Sequence, residues 1–247
     1  MMMRLLARKS VNRMLGPLNA RMVNAHWGPR GFLDAFLRLR GQGMAPKQIV
    51  DVGASDGSWT QDCLKVFPES RYFLVDPLTE NVAHLKKLSS KNDQITAWHG
   101  ALGESPGELP MFVHGDQSSF LASEYRGETL ESQVKVKVQP LDFFLGTSLL
   151  QPPQLLKADV QGFEIAVLQG ASKCLETVEV LLLEVSYRQL YHGGPLAHEV
   201  IAYVGSRGFR IYDICSYTQR AHDSELAQSD MLFVKAGSSI FSYEKWQ

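Results

Sequence analysis

Ile49-Val50-Asp51-Val52-Gly53-Ala54-Ser55-Asp56-Gly57-Ser58-Trp59 is the stretch on which the fold turns. The apolar run from Gln48 to Val52 has the length and composition of a buried strand, and it ends in a turn punctuated by two glycines. A helix is expected from Trp59 to Phe67. Gly53 and Gly57 allow backbone angles and a close approach that a side chain forbids. Between them the turn is expected to present unpaired amides at a helix N-terminus, suited to carboxylate or hydroxyl oxygens. Nineteen residues past Gly57, a second apolar run, Tyr72-Phe73-Leu74-Val75, ends in Asp76-Pro77. An acid at that distance, at the end of the next strand, commonly holds a ribose diol. Together these features read as a nucleoside-binding α/β domain.

Beyond this stretch, strands and helices alternate, which argues for a mainly parallel sheet covered on both faces. Strands are expected at 48–53, 71–76, 95–100, 155–160 and 178–185, with helices at 59–67, 79–90, 163–175 and 196–206 between or after them. An insertion at 103–153 carries two alternating strands, Leu109 to His114 and Val134 to Val138; Lys135 and Lys137 read as the solvent face of an edge strand. Phe209 to Ser216 and Met231 to Lys235 close the sheet as an antiparallel hairpin. The expected architecture is therefore a Rossmann-like class I methyltransferase fold: a mainly parallel seven-stranded sheet with a C-terminal antiparallel hairpin and a β insertion.

The remaining segment, 1–47, has a different character and reads as an N-terminal helical extension to a binding domain at 48–247. It holds nine Lys or Arg and one acid, Asp34. Val11, Met14, Leu15, Leu18 and Met22 follow helical spacing among basic residues, so contact with an anionic membrane surface competes with simple packing on the domain. Pro17 interrupts that pattern, and Arg8, Lys9 and Arg13 leave no uninterrupted apolar core for a signal peptide. A helix is expected from Gly31 to Arg40.

The whole chain has 247 residues, 45% of them hydrophobic, and a net charge of −1. Nothing in that balance calls for a nucleic-acid partner. No apolar run reaches the roughly 18 residues a membrane span needs. Cys63, Cys174 and Cys215 are far apart and never paired as C-x-x-C, which suits buried thiols in a reducing, cytoplasmic setting. Oligomeric state is open at this level.

In a doubly wound sheet, ligands sit beyond the carboxyl ends of the strands. Asp51 to Gly53, Asp76, Gly100-Ala101-Leu102, Asp159 and Glu184 end five successive β-units, so one rim collects them. Three ligand chemistries compete for it. A dinucleotide wants G-x-G-x-x-G, whereas Ser55 stands at the middle glycine and Asp56 lies where a pyrophosphate would be repelled. A serine hydrolase could use Gly53-Ala54-Ser55-Asp56-Gly57 as G-x-S-x-G, with Asp159 or Glu184 and His192 or His222 following in order. That leaves Asp51 and Asp76 unexplained. S-adenosylmethionine (SAM) carries no phosphate and accounts for the most residues. Asp51 and the turn (Gly53, Ala54, Ser55, Gly57) would meet its amino-acid end, Asp76 with Pro77 its ribose, and Ala101-Leu102 its adenine.

The sequence resembles the FkbM family of SAM-dependent methyltransferases. The resemblance rests on Asp51 to Gly57, Val75-Asp76-Pro77 with Asn81 and Leu85, Gly100-Ala101-Leu102-Gly103, and Pro140-Leu141-Asp142. Its most specific block is Leu156-Lys157-Ala158-Asp159-Val160-Gln161-Gly162-Phe163-Glu164, followed by Val167 to Ala171 and Leu182-Leu183-Glu184. One departure is Gln161, where the family usually has Glu; it keeps open a catalytically degenerate SAM-binding module. The resemblance implies methyl transfer to a hydroxyl of a sugar, glycan or small natural product. Asp159 is the first choice for a general base and also borders the cofactor, Glu184 is the second, and His192 is the histidine best placed to face the acceptor. Asp159 and Glu184 could instead share a divalent cation, which no sequence feature requires.

Overall fold

The computed structural model describes residues 29–127 and 133–238. The amphipathic pattern at 11–22, with its possible membrane contact, lies outside the described residues.

Helix α1 (Phe32–Gly41) leads into β1 (Gln48–Val52), α2 (Ser58–Val66), β2 (Arg71–Asp76), α3 (Thr79–Lys91) and β3 (Ile95–His99). After the insertion come β7 (Leu155–Ala158), α4 (Glu164–Gln169), α5 (Cys174–Thr177), β8 (Val180–Ser186), α6 (Ala197–Ser206), β9 (Phe209–Gln219) and β10 (Leu226–Lys235). Seven of the strands form one sheet in the order β3-β2-β1-β7-β8-β10-β9. β1, β2, β3, β7 and β8 pair in parallel, and β10 runs antiparallel between β8 and β9.

The apolar strand runs are explained by two buried faces. Val50, Val52, Phe73, Leu156 and Leu183 point into one core, while Ile49, Tyr72, Leu74, Leu155 and Leu182 point into the other. α1 belongs to the second core: Ala35, Phe36 and Leu39 are fully buried there. Phe36 meets the rings of Trp59 and Phe67 at 6.0 and 5.8 Å, an arrangement that adds to simple burial.

Four local expectations shift. β3 stops at His99, and Ala101–Leu102 leaves the sheet as β4. β4 pairs with β6 (Gln133–Gln139), which pairs in turn with β5 (Gly107–Phe112), making a separate sheet in the order β4-β6-β5. β6 is therefore its middle strand, not an edge. Lys135 and Lys137 still face solvent because only Val136 and Val138 turn inward. The helix expected over 163–175 breaks into α4 and α5. A Cβ at Gly170 would lie 2.0 Å from the carbonyl oxygen of Gly103, so the backbones touch there and the helix cannot pass straight through. Lastly, β10 begins at Leu226, because Gln228, Ser229 and Asp230 continue the ladder beside Glu184 to Ser186. Polar residues carry that part of the strand, so an apolar pattern does not reveal it.

The sheet order reverses between β1 and β7. From there the chain winds outward in both directions, which makes the C-terminal ends of these two strands the natural place for a ligand.

Candidate functional site

A cleft of about 600 Å³ opens at that point, within the range of small-molecule sites. Gly53, at φ +72, forms its floor. A Cβ there would stand 2.0 Å from the carbonyl oxygen of Asp159, so only glycine lets the β1 turn approach the end of β7. The insertion sheet supplies a wall: Leu78, Ala101, Met111, Val136 and Val138 pack together, with Phe120 against them. Of these, Leu78, Ala101, Met111 and Phe120 line the cleft, giving it an apolar end fit for a base.

The polar end is acidic. Asp56, Asp76, Asp116 and Asp159 all line it, a setting that favours a cationic ligand and repels phosphate. Asp76 ends β2 and is 4% exposed. Its Oδ1 accepts from the Leu78 amide at 2.9 Å and from Asn81 Nδ2 at 3.0 Å, and its Oδ2 from the Ser55 amide at 2.8 Å. Burial pushes this carboxyl up, outweighing those donors and the Lys157 charge. A carboxylate accepts about four hydrogen bonds, so Oδ2 keeps capacity for a ligand hydroxyl. The residues thus fit a nucleoside whose sugar donates to Asp76.

The turn amides do not behave as expected. Those of Gly53 and Ala54 donate to the Val75 carbonyl, Ser55 to Asp76, Gly57 to the Ala54 carbonyl, and Ser58 to Asp56 Oδ1. The loop is folded by its own bonds, and a ligand carboxylate would have to look beyond these five amides.

Asp51 is also elsewhere. It is fully buried on the α2 side of the sheet, where Thr60 Oγ1 donates to Oδ2 at 2.7 Å and Lys157 Nζ lies 3.1 Å from Oδ1. Period two decides this: Asp51 shares a face with Ile49, whereas Val50 and Val52 take the other. Lys157, directly opposite in the β1–β7 register, also donates to the Gly53 carbonyl at 2.7 Å. Burial pushes its ammonium down, but Asp51, with Asp159 and Asp230, holds it above the ordinary lysine value. Asp51 therefore supports the cleft floor from behind and does not line the cleft.

Of the other expected residues, Gly53, Ala54, Ser55, Asp76, Pro77, Ala101, Leu102 and Asp159 line the cleft. Gly57 caps α2 at φ +80, packed against Leu88 and outside the lining. Glu184 stands behind Asp159, reached through Gln161, whose Nε2 donates to Asp159 Oδ1 and to Glu184 Oε2, each at 2.9 Å. Gln228 also donates to Glu184 Oε2, at 2.6 Å. Burial first, and then Asp159, Glu164 and Asp230, push the Glu184 carboxyl up to about 9. His192 is 62% exposed and pairs with Glu124 at 2.8 Å, away from the lining. The Ser55 hydroxyl donates to Asp116 Oδ1 at 2.9 Å rather than to a histidine, so the hydrolase pairing is not formed.

Nor does the donor set between Asp159 and Glu184 fit a cation: an amide N–H points at both carboxylates. No group of three or more His, Cys, Asp or Glu among the described residues is placed to hold a metal. The three cysteines are free and buried. Among the described residues no helix is long and apolar enough to cross a membrane.

Sequence reasoning missed Tyr191, whose hydroxyl donates to Gln161 Oε1 at 2.7 Å, and the support that Asn81 gives Asp76. Asn81 follows Asp76 by five residues in the first turn of α3, a spacing that could have suggested it. Nothing local marks Tyr191. Glu164 opens α4 and accepts from the Val160 and Gly162 amides, at 3.1 and 3.2 Å, so it shapes the loop that carries Gln161.

Comparison with known proteins places this site in context. A family model described as Methyltransferase FkbM domain matches residues 51–211. The 2-O-methyltransferase NoeI of Sinorhizobium fredii (strain NBRC 101917 / NGR234) is 24% identical over 159 residues, 59% of this chain and 65% of its own length. The crystal structure of methyltransferase FkbM from Methylobacillus flagellatus KT superposes with a TM-score of 0.51 at 18% identity, over 76% of this chain and 43% of that one. The chain thus spans 65% of the length of the curated relative and under half of that crystal structure. The structural likeness supports the fold.

Proposed function

The chain belongs to the FkbM methyltransferase family, and from that premise we propose that it transfers the methyl group of SAM to a hydroxyl of a sugar, glycan or other small natural product. The observation that carries this reading is the cleft between β1 and β7, acid-lined at one end and apolar at the other, with spare acceptor capacity on Asp76 Oδ2. SAM, when bound, supplies an electrophilic methyl on a sulfonium. Asp76 would take a ribose hydroxyl through a charge-assisted hydrogen bond, and Leu78, Ala101 and Met111 would cover the base.

For the acceptor, Asp159, which lines the cleft, would serve as the general base. Its Oδ1 is held by Gln161, and no described residue bonds Oδ2. Alignment of the acceptor oxygen with the methyl would supply much of the acceleration. A second groove of about 480 Å³ shares Phe163 with the cleft and is lined in part by Gln169, Gln189, Gly193 and Gly194. An aromatic ring beside amides suits a hydroxylated acceptor, and the name of NoeI, a 2-O-methyltransferase, points the same way for that protein. An acceptor of this class needs no nucleic-acid partner, and the acidic lining disfavours one.

The test is transfer of labelled methyl from SAM into an extract of the source cells, followed by identification of the labelled product. SAM should also protect the chain against thermal unfolding. Binding without transfer to any extract would favour the degenerate module, and no protection at all would remove SAM.

A further inference from the structure

Gln161 is the junction of four segments. It is 7% exposed and sits at φ +55, a left-handed conformation uncommon for a residue with a Cβ. Its backbone carbonyl accepts from the buried Ser119 hydroxyl at 2.7 Å, tying the insertion to the β7–α4 loop. Its side-chain nitrogen donates to Asp159 Oδ1 and Glu184 Oε2, and its side-chain oxygen accepts from Tyr191.

The chemistry of the amide matters here. Carboxylates only accept, so two of them can be bridged directly only by a group with two protons to give. The amide nitrogen has two. The Tyr191 proton requires oxygen at the other end, which fixes the amide's orientation. A carboxylate in place of this amide would offer no proton to either acid and would bring one more acidic group beside them.

We propose that Gln161 is a positioning residue whose amide, oriented by Tyr191, locks Asp159 and Glu184 into one hydrogen-bonded pair and leaves Asp159 Oδ2 open toward the cleft. The inference deepens the methyl-transfer reading and rests on Asp159 as the group that receives the acceptor's proton. The charged groups around Glu184 are Asp159, Glu164 and Asp230, which disfavour its ionisation, and Lys157, which favours it. Gln161 and Gln228 add N–H donors to its charged form. Burial dominates, so the Glu184 carboxyl is held well above the ordinary carboxylate range.

The test uses the full chain labelled with 13C at glutamate carboxyls and titrated by NMR, with Glu184→Gln identifying the Glu184 resonance. Gln161→Met keeps the volume and deletes both donors. Losing a charge-assisted hydrogen bond should raise the Glu184 midpoint by about one pH unit or more. Gln161→Glu should raise it further through like charge, and Tyr191→Phe should raise it less. In the labelled-methyl assay, Gln161→Met should lose about tenfold or more in kcat while SAM affinity by calorimetry stays within about twofold. A folded Gln161→Met chain with an unmoved Glu184 midpoint would overturn the proposal, because a residue that only fills space leaves that titration alone. If Gln161→Met does not fold, an unmoved midpoint in both Gln161→Glu and Tyr191→Phe overturns it equally. The titration needs no acceptor, so a wild-type chain that methylates nothing counts against the function and not against the coupling.

Discussion

Asp51 and Lys157 face each other across the β1–β7 ladder with 3.1 Å between their charged atoms, and the same ammonium reaches the carbonyl of Gly53. The ion pair is buried on both sides, at 0% and 8% side-chain exposure. It therefore does two things: it neutralises an acid inside the sheet, and it holds the glycine turn that forms the cleft floor.

Removing one partner leaves the other charge buried and alone. Lys157→Met should destabilise the fold by about 3–5 kcal/mol in urea unfolding. The double variant Lys157→Met/Asp51→Asn should recover part of that loss. If the single variant unfolded at the wild-type urea concentration, the pair would have no structural role.

Asp76 should behave differently, because it lines the cleft. Asp76→Asn keeps the shape but removes the charge on the hydroxyl-accepting oxygen. SAM affinity should fall about tenfold or more, the value of one charge-assisted hydrogen bond. Calorimetry showing unchanged affinity in a folded variant would remove Asp76 from the ribose role.

The contrast between these two acids shows how far the sequence could be read. The strand–turn–helix at 48–67, the acid ending β2 and the parallel order follow from apolar runs and glycine spacing, and these have local causes. The direction in which Asp51 points depends on which face of a doubly covered sheet it occupies. Both faces of β1 are apolar, so no alternation in the sequence reveals it. The Gln161 cluster has a similar cause: its partners come from β8, from the loop before α6 and from the insertion, 23, 30 and 42 residues away. Only the folded chain brings them together. His192 shows the same limit from the other side: it follows a strand that ends at the rim, and only the folded chain shows its side chain paired with Glu124.

Stability should depend on pH through Glu164. Burial lifts its carboxyl from 4.5 to about 7, against hydrogen bonds from the Val160 and Gly162 amides. A folded-state value above the unfolded one means that the protonated form is favoured by folding. The resulting stability is present in full below about 4.5 and is lost as pH rises through about 7. Relative to wild type, Glu164→Gln should therefore gain stability across that window, on the order of 3 kcal/mol at most. Paired urea titrations from below pH 4.5 to above pH 7 check this. A constant difference between the two proteins would mean that Glu164 does not titrate there.

Asp159 and Glu184 can be separated by turnover. Asp159 borders the cleft and no described residue bonds its Oδ2, while Glu184 lies behind Gln161 and is absent from the cleft lining. Losing a general base typically costs about 10²–10⁴-fold, so Asp159→Asn should lower kcat by at least about a hundredfold while SAM affinity changes only a few-fold. Glu184→Gln retains the size and neutral character of the buried acid, and its loss should be about tenfold or less. The two rates, measured in one labelled-methyl assay, order the acids: equal losses would make the pair a single catalytic unit, and a larger loss for Glu184→Gln would move the base from Asp159 to Glu184.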